Sequence, residues 1–375
     1  MLHRVKELAL RHPLLIVAAK LALKPFPGVW VRVRDKVLTQ RKSEADLERD
    51  FILIPFATFD LLYAKAPLED RRGIGRVARE LLSQLKLSSA ELNADCLLAE
   101  NRKQIPFYSS IHFCPDQLLP NSIVMIHDVT PLMVPECFPP PALSEWYERF
   151  APIAHQAACI VSGSHSAAAD IASKLGLEQD SIQVIYNGVV AFREDPEFSM
   201  ALPAEKFVLF LGANEQYKNL DVLVRALRMH GQHDVHLVLV GDRHNAESYV
   251  AEPEVRAKIH CVGRLRDDEV SYLMRHSLAL VFPSLYEGFG LPPMEAALLG
   301  VPSICSRRPA MTELLEEGVI FCDPHVPSEW RRAMDRVASD DQLVTAVRRL
   351  AVKIQRNFNW AAVADKLTKI ADQLP

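Results

Sequence analysis

The sequence predicts an α/β protein made of two doubly wound parallel-sheet domains that face each other across a cleft. Three observations lead to this fold class. Short apolar runs alternate with amphipathic stretches, the alternation restarts in the second half, and 375 residues are more than one ordinary core needs. Because ligands of such sheets bind beyond the carboxyl ends of the strands, the cleft is the expected functional site.

The first half of the chain supplies the first alternation. FILIPFATF is predicted to form one strand, and RRGIGRVARELLSQL a glycine turn that leads into an amphipathic helix. Two further strands are expected at SIVMIHDV and ACIVSGS, and helices at PALSEWYERFAPIAHQA and SHSAAADIASKLG. IQVIYNGV ends this half as a strand and an Asn-Gly turn, and a polar linker follows.

The second half repeats the pattern. Strands are expected at KFVLFLGA, VHLVLVGD, KIHCVGRL and LALVFPS, and helices at NLDVLVRALRMHG and DDEVSYLMRHS. FNWAAVADKL, near the end, is predicted to be a helix that packs back on the first domain. The resulting boundaries are a basic extension at 1–44, a first domain at 45–198, a second at 199–355 and a terminal helix at 356–375.

Composition and charge exclude several classes of protein. The chain is 49% apolar and 24% charged, as in soluble globular proteins, and its net charge of −4 argues against a nucleic-acid partner. The seven cysteines are dispersed and form no CxxC pair, which indicates reduced thiols in a cytoplasmic protein and neither a disulfide framework nor a zinc site.

Residues 1–44 differ from the rest, since they contain ten Lys or Arg and only three Asp or Glu. Their longest apolar stretch, Leu14 to Leu23, contains Lys20 and is too short to span a membrane. Two interpretations stay open, a helical arm that lies on an anionic membrane surface and one that docks on its own protein. A signal peptide is a third interpretation, although the segment has no clean cleavage site. The expected location is the cytoplasm, and the first interpretation would place the protein at the inner face of the cell membrane.

One stretch, SLYEGFGLPPMEA, carries most of the chemistry. Gly288 and Gly290 allow a tight turn after the LALVFPS strand, Pro292 and Pro293 suit the first positions of a helix, and Gly300 suits its end. Free backbone amides and the helix dipole then favour an anion, and phosphate is the usual one.

The stretch also holds two glutamates. Glu295 has a plain structural explanation, because a carboxylate in the first helical turn complements the dipole. Glu287 does not, since it would repel a phosphate; its better use is to accept hydrogen bonds from neutral hydroxyl groups. A phosphate on the amides and hydroxyls on the carboxylates together describe a nucleotide sugar.

EGFGLPPMEA resembles the signature of the retaining GT-B glycosyltransferases of family 4, the group 1 glycosyltransferases. RRGIGRVARELL, HFCPDQLLP, VMIHDVTPLMVPE and FLGANEQYKNL resemble other segments of that family, so the likeness covers roughly residues 51–370. By pattern the nearest relatives are mannosyltransferases of bacterial surface polysaccharides, including lipopolysaccharide. The resemblance implies Rossmann-like domains, the N-terminal one for the acceptor and the C-terminal one for the nucleotide sugar.

The resemblance also implies residue roles. Glu295 would bind the ribose, Glu287 the sugar hydroxyls near the reacting carbon, and Lys218 the leaving diphosphate. His127 would contact the donor sugar and help to stabilise the transition state. The other donor-binding candidates are Gly212, the amides of Gly288, Phe289, Gly290 and Leu291, and the glycines Gly73 and Gly75 of the N-terminal loop. His112 and Asp128 are candidates on the acceptor side.

Each of these residues has a structural alternative. His127 would otherwise be a buried histidine, Lys218 a solvated charge, and Gly73 and Gly75 a plain turn between strand and helix. His112 could belong to a turn, and Asp128 could hold the loop of His127 by hydrogen bonds.

The chain departs from the family at one position. Relatives place an arginine just before or slightly upstream of the lysine, where this chain reads Glu215-Gln216-Tyr217-Lys218-Asn219. Arg264 or Arg266 would have to replace it. Since no Asp-x-Asp pair occurs in the sequence to hold a divalent ion on the diphosphate, transfer without a metal is expected, with no cofactor besides the nucleotide sugar.

The expected function is therefore retaining transfer of a hexose, with mannose from GDP-mannose as the best guess, to a saccharide or lipid-linked acceptor. Two alternatives stay open. A nucleotide-sugar epimerase would turn over the donor without an acceptor, and a non-catalytic subunit would bind a nucleotide sugar or glycan without transfer.

Overall fold

The structure is a computed structural model. It describes residues 47, 49–70, 73–90, 102–191, 201–203, 206–212, 215–241 and 252–375, with the side chain of Asp341 excepted. The basic extension at 1–44 and most of the linker between the two predicted domains lie outside the described residues.

The N-terminal domain is built on a six-stranded sheet whose strands follow one another in sequence order. The first pair is antiparallel and the other pairs are parallel. The strands are β1 (Phe51–Pro55), β2 (Phe59–Ala64), β3 (Lys103–Tyr108), β4 (Ile123–Met125), β5 (Cys159–Ser162) and β6 (Ile182–Val184).

The single strand predicted at FILIPFATF is wrong, because the run contains a hairpin turn. The Phe56 amide donates to the Phe59 carbonyl at 2.8 Å, and Ala57 and Thr58 are exposed at the tip. β2 then continues to Ala64, which pairs with Phe51. The turn has no glycine or asparagine, so the uninterrupted apolar run concealed it.

Helices cover both faces of this sheet, as the period-2 alternation of apolar residues requires. Leu61 and Phe107 face a core that contains helices α1 and α13, whereas Leu62 and Val124 face a core that contains α5. The helices of the N-terminal half are α1 (Gly73–Ala90), α2 (Thr130–Met133), α3 (Pro140–Glu145), which continues through a π-helical turn at Trp146–Phe150 into α4 (Ala151–Ala154), and α5 (His165–Leu175).

The C-terminal domain has a six-stranded, fully parallel sheet in the order β12-β11-β10-β7-β8-β9. Two parallel-sheet domains were predicted, and the structure confirms them. The strands are β7 (Phe207–Leu211), β8 (His236–Val240), β9 (Ile259–Gly263), β10 (Ala279–Phe282), β11 (Ser303–Ser306) and β12 (Val319–Cys322).

This strand order reverses between β7 and β10, which are neighbours in the sheet although two strands separate them in sequence. The crevice beyond such a switch point is where doubly wound sheets bind their ligands. The helices of this half are α6 (Leu220–Leu227), α7 (Pro253–Arg256), α8 (Asp267–His276), α9 (Leu291–Leu298), α10 (Pro309–Leu314), α11 (Pro327–Val337) and α12 (Asp341–Asn357).

The last helix, α13 (Trp360–Gln373), returns to the N-terminal domain. Its apolar side packs with α1 in the core of that domain, through Val363 and Leu367 among others. Gly188 lies directly against the Trp360 ring, which leaves no room for a side chain there. No helix among the described residues is both long and apolar enough to cross a membrane.

Candidate functional site at the domain cleft

Lys218 is placed by the loop that follows β7. Gly212 adopts a positive φ of 98°, and a short 3-10 turn then carries the chain through Lys218 to Asn219. The side-chain Nδ2 of Asn219 donates to the Pro283 carbonyl at 3.1 Å and to the Pro324 carbonyl at 2.8 Å. These bonds tie the loop after β7 to the loops after β10 and β12.

Lys218 and Glu287 form an ion pair at the switch point. The Nζ of Lys218 lies 2.7 Å from Oε1 of Glu287, and the two side chains are 16% and 14% exposed. Burial lowers the pKa of Lys218. The charge of Glu287 and the hydrogen bond between the two side chains raise it by a larger amount, so the pKa lies above its ordinary value. The side chain is therefore a cation. The family resemblance implies contacts with different parts of a ligand for these two residues, whereas in the structure they neutralise each other.

The glycine corner after Glu287 touches the N-terminal domain. A Cβ atom on Gly288 would lie 2.5 Å from the His127 carbonyl oxygen and 2.6 Å from Cβ of Asp128. The hydroxyl of Ser164 also donates to the Gly288 carbonyl at 2.6 Å. This close approach of the two domains requires a glycine at position 288.

The rest of the corner is part of the domain's own packing. Gly290 has a positive φ of 84° and lies against the Met311 side chain, and Phe289 is buried among core residues. Helix α9 begins at Leu291, so Pro292 and Pro293 occupy its second and third positions. Because prolines carry no N–H, Leu291 is the one amide donor among these three positions. Gly300, with a φ of 77°, follows the helix end.

Glu295 is not in the first turn of α9, so its interpretation as a dipole-stabilising carboxylate is wrong. It is 3% exposed, and its Oε1 lies 2.5 Å from Nη1 of Arg76 in the N-terminal domain. Burial raises the pKa of Glu295 to about 7, although the Arg76 charge acts in the opposite direction. Burial is the larger of the two effects.

Arg76 comes from the predicted glycine loop, which forms the first turn of α1. Gly75 packs against the Asp70 carbonyl with no room for a Cβ, whereas Gly73 has open space around it. The tight glycine therefore serves the turn itself and places the next residue, Arg76, at the cleft. Arg76 also donates from Nη2 to the Val190 carbonyl at 3.2 Å.

On the opposite wall, His127 follows β4. Its Nε2 lies 3.0 Å from the Ser109 carbonyl oxygen, which can only accept, so Nε2 carries a proton. Burial lowers the pKa of His127 despite the nearby charge of Asp128, which favours the neutral ring. Asp128 accepts from both the amide and the hydroxyl of Thr130, at 2.9 and 2.6 Å, and so holds this loop. His112 contacts the rings of Trp146 and Phe150 edge-on.

Further bonds across the cleft involve residues that the sequence analysis missed. Tyr286 donates its hydroxyl proton to Asp170 at 2.9 Å, and Tyr217 stacks on Phe138 with ring centroids 5.6 Å apart. Glu313 accepts from the first two amides of α5, both at 2.8 Å. These contacts depend on the relative orientation of the domains, which the sequence alone does not provide. One feature of the sequence could have identified Arg76 as a site residue, namely its position directly after the Gly-Ile-Gly motif.

The described residues contain no group of three or more His, Cys, Asp or Glu side chains with metal-binding geometry. Two cations at the cleft each form an ion pair with a glutamate, Arg76 with Glu295 and Lys218 with Glu287.

Comparison with known proteins agrees with the fold. Residues 192–354 match the sequence model of the family described as Glycosyl transferases group 1. The matched solved structures include Anabaena Alr3699/HepE in complex with UDP-glucose, at a TM-score of 0.57 and 17% identity over 72% of this chain and 79% of that one. The fold is therefore GT-B, and residues 192–354 are similar to the group 1 glycosyl transferases.

Two mannosyltransferases are among the curated relatives. The O-antigen chain mannosyltransferase RfbU of Salmonella typhimurium is 27% identical over 62% of this chain and 64% of its own length. The serotype-specific mannosyltransferase WbdA of Escherichia coli is 26% identical over 65% of this chain and 32% of its own length. The matches thus span from about a third to just under two thirds of these relatives. The chain is similar to bacterial mannosyltransferases over 62% and 65% of its length.

We expect replacement of Glu295 by glutamine to remove a pH-dependent contribution to stability. Its pKa in the folded protein is about 7 and would be about 4.3 in the unfolded chain. The free energy of unfolding of the wild-type protein should therefore fall as the pH rises through this interval. Glu295→Gln lacks that fall, so its stability relative to the wild type should increase by about 1–3 kcal/mol between pH 5 and pH 8.

Urea unfolding at the two pH values measures this change. The exposed Glu178→Gln is the matched control, for which the difference from the wild type should not depend on pH in this way. A Glu295→Gln difference that is equal at pH 5 and pH 8 would mean that Glu295 does not titrate in this range.

Proposed function

We propose that this protein is a retaining glycosyltransferase that moves a hexose, mannose from GDP-mannose, to a saccharide or lipid-linked acceptor in surface polysaccharide synthesis. The observation that carries the proposal is the buried pair of Lys218 and Glu287 at the switch point, beside the glycine corner. The class of donor is supported by the UDP-glucose bound in HepE, and the sugar and pathway by RfbU and WbdA.

In this proposal the donor lies between the corner and the wall that contains His127. The diphosphate takes the amides of residues 288–291 together with the charge of Lys218, next to Gly212. The sugar hydroxyls donate to Glu287 and the ribose hydroxyls to Glu295, since ionised carboxylates only accept hydrogen bonds. His127 orients the sugar, and His112 and Asp128 lie on the acceptor side. Because Gly288 now touches His127, the donor enters when the domains move apart.

The chemical step proceeds on one face of the sugar. The bond between the anomeric carbon and the phosphate oxygen breaks, and the acceptor hydroxyl oxygen bonds to the same face of that carbon. The hydroxyl proton passes to the leaving phosphate oxygen. Lys218 stabilises the charge that develops on the diphosphate, which is the kind of interaction that contributes most to catalysis in such sites.

We also propose that this transfer requires no divalent ion. A metal-dependent transferase holds the ion on the diphosphate with carboxylates, and the sequence has no Asp-x-Asp pair for that purpose. Here a buried lysine and backbone amides would carry the charge. Activity that persists in excess EDTA is the expected result, and its loss would contradict this part of the proposal.

A thermal-shift screen with a panel of nucleotide sugars tests the donor. GDP-mannose is expected to raise the melting temperature most, because a ligand that binds only the folded state stabilises it. The anomeric configuration of the product, determined by NMR, should match that of the donor. An inverted product would contradict the retaining mechanism, donor turnover without acceptor would indicate an epimerase, and binding without transfer to any acceptor would indicate a non-catalytic subunit.

Lys218→Met and Glu287→Gln are each expected to lower kcat/KM by about 10²–10³-fold, because each removes a contact to the reacting groups. Each single change also leaves one buried charge without its partner, which costs about 3–5 kcal/mol of stability. The double variant Lys218→Gln with Glu287→Gln removes both charges and separates activity from folding. The exposed Lys366→Met is the control. A double variant that is folded and turns over at a near-normal rate would remove both assignments.

We further propose that residues 1–44 bind anionic lipid at the inner face of the cell membrane, because this segment combines ten Lys or Arg with short apolar stretches. The full chain should sediment with phosphatidylglycerol vesicles at low salt, less at high salt, and not with phosphatidylcholine vesicles. A variant without residues 1–44 should stay in the supernatant. Equal sedimentation of the two proteins would favour an arm that docks on its own protein.

A further inference from the structure

Arg76 connects the two domains at the proposed donor site. Its guanidinium reaches Glu295 at 2.5 Å, and the side chains of the pair are 19% and 4% exposed. Glu295 is the carboxylate assigned to the ribose in the proposed function, on which this inference rests. A cation from the N-terminal domain thus lies where the middle of the donor would bind.

The site contains two such pairs, Arg76 with Glu295 and Lys218 with Glu287. In each, the glutamate is the group assigned to neutral hydroxyls of the donor. When those hydroxyls bind the carboxylates, the two cations lose their counter-ions. The diphosphate arrives at the same time with negative charge, and a buried cation requires a partner.

We propose that Arg76 is a donor-binding residue that moves from Glu295 to the diphosphate when the nucleotide sugar binds. It would supply the charge-assisted contact of the arginine that is missing beside Lys218. The planar guanidinium suits this role, because it donates two parallel hydrogen bonds to phosphate oxygens. Arg76 lies in the first turn of α1, and the N-terminal end of the helix dipole also favours the negative charge of the diphosphate.

The two arginines that the sequence offered as replacements are engaged elsewhere or exposed. Arg266 is 66% exposed and bonds to Asp268 and Glu269 at the start of its own helix, α8. Arg264 is exposed. Arg76, in contrast, is held at the cleft by the tight turn at Gly75 and by its bond to the Val190 carbonyl.

Calorimetric titration of guanosine, GMP and GDP into the full-length wild type and Arg76→Gln tests this role. If another base stabilises the wild type in the donor screen, the series of that base is used. Arg76→Gln should weaken binding of the nucleoside diphosphate about tenfold or more, which is the loss expected when a hydrogen bond to a charged group is removed. The affinity for the monophosphate should fall less, and the nucleoside should bind the variant as tightly as it binds the wild type, or more tightly. Lys86→Gln, which removes an exposed charge from the same helix, is the matched control.

Equal losses for nucleoside and diphosphate would overturn the inference, because they would mean that Arg76 only holds the domains together. Unchanged affinity for the diphosphate would overturn it as well. Should Arg76→Gln not fold, Arg76→Lys keeps the charge without the planar fork, and its loss should again be greatest for the diphosphate. Both results leave the proposed function intact as long as the wild type binds nucleotide sugars. A wild type that binds none would overturn the proposed function itself.

Discussion

The buried pair of Lys218 and Glu287 is the constraint on which the site depends. The strands before these residues, β7 and β10, are parallel neighbours, so they end at the same edge of the sheet. The loops that follow stay in contact, because the Leu285 amide donates to the Tyr217 carbonyl at 2.8 Å, and the ion pair adds a second link at 2.7 Å. A single buried charge would cost several kcal/mol, so each residue needs the other while no ligand is bound. The bond of Asn219 to Pro283 holds these two loops together, and its bond to Pro324 ties them to the loop after β12.

Contact between the domains depends on a different feature, the missing side chain at Gly288. The His127 carbonyl and the Asp128 side chain occupy the space that a Cβ would need, and Ser164 bonds to the glycine's carbonyl. Any larger residue would push the two sheets apart at their facing edges. The bonds of Tyr286 to Asp170 and of Glu313 to the start of α5 then add polar contacts around this point. The same glycine therefore shapes the corner in its own domain and allows the other domain to close on it.

Much of this could be predicted from the sequence, and the physical reason for the rest is clear. The alternation of apolar strands with amphipathic helices predicted both sheets, although strands β3, β11 and β12 were missed, and Lys218 was a candidate because it follows a strand of the second sheet. The hairpin at Phe56 was not, since it interrupts an apolar run without a turn-forming residue. The partner of Glu295 could not be predicted either. On the sequence Arg76 is one of several cations on a helix, and its contact with a residue far along the chain exists because the domains face each other in one orientation.

The two ion pairs also explain why the acidic positions are glutamate and not glutamine. A carboxylate accepts hydrogen bonds from hydroxyl groups through two oxygens, whereas a glutamine side chain accepts through one. It cannot neutralise Lys218 or Arg76 in the empty cleft, where 16% and 19% exposure leave little water to do so. The carboxylates thus have two functions in the proposed cycle, as counter-ions without ligand and as hydroxyl acceptors with it. The raised pKa of Glu295 follows from the same burial, because the cost of burying the charged carboxylate exceeds the stabilisation that the Arg76 charge provides.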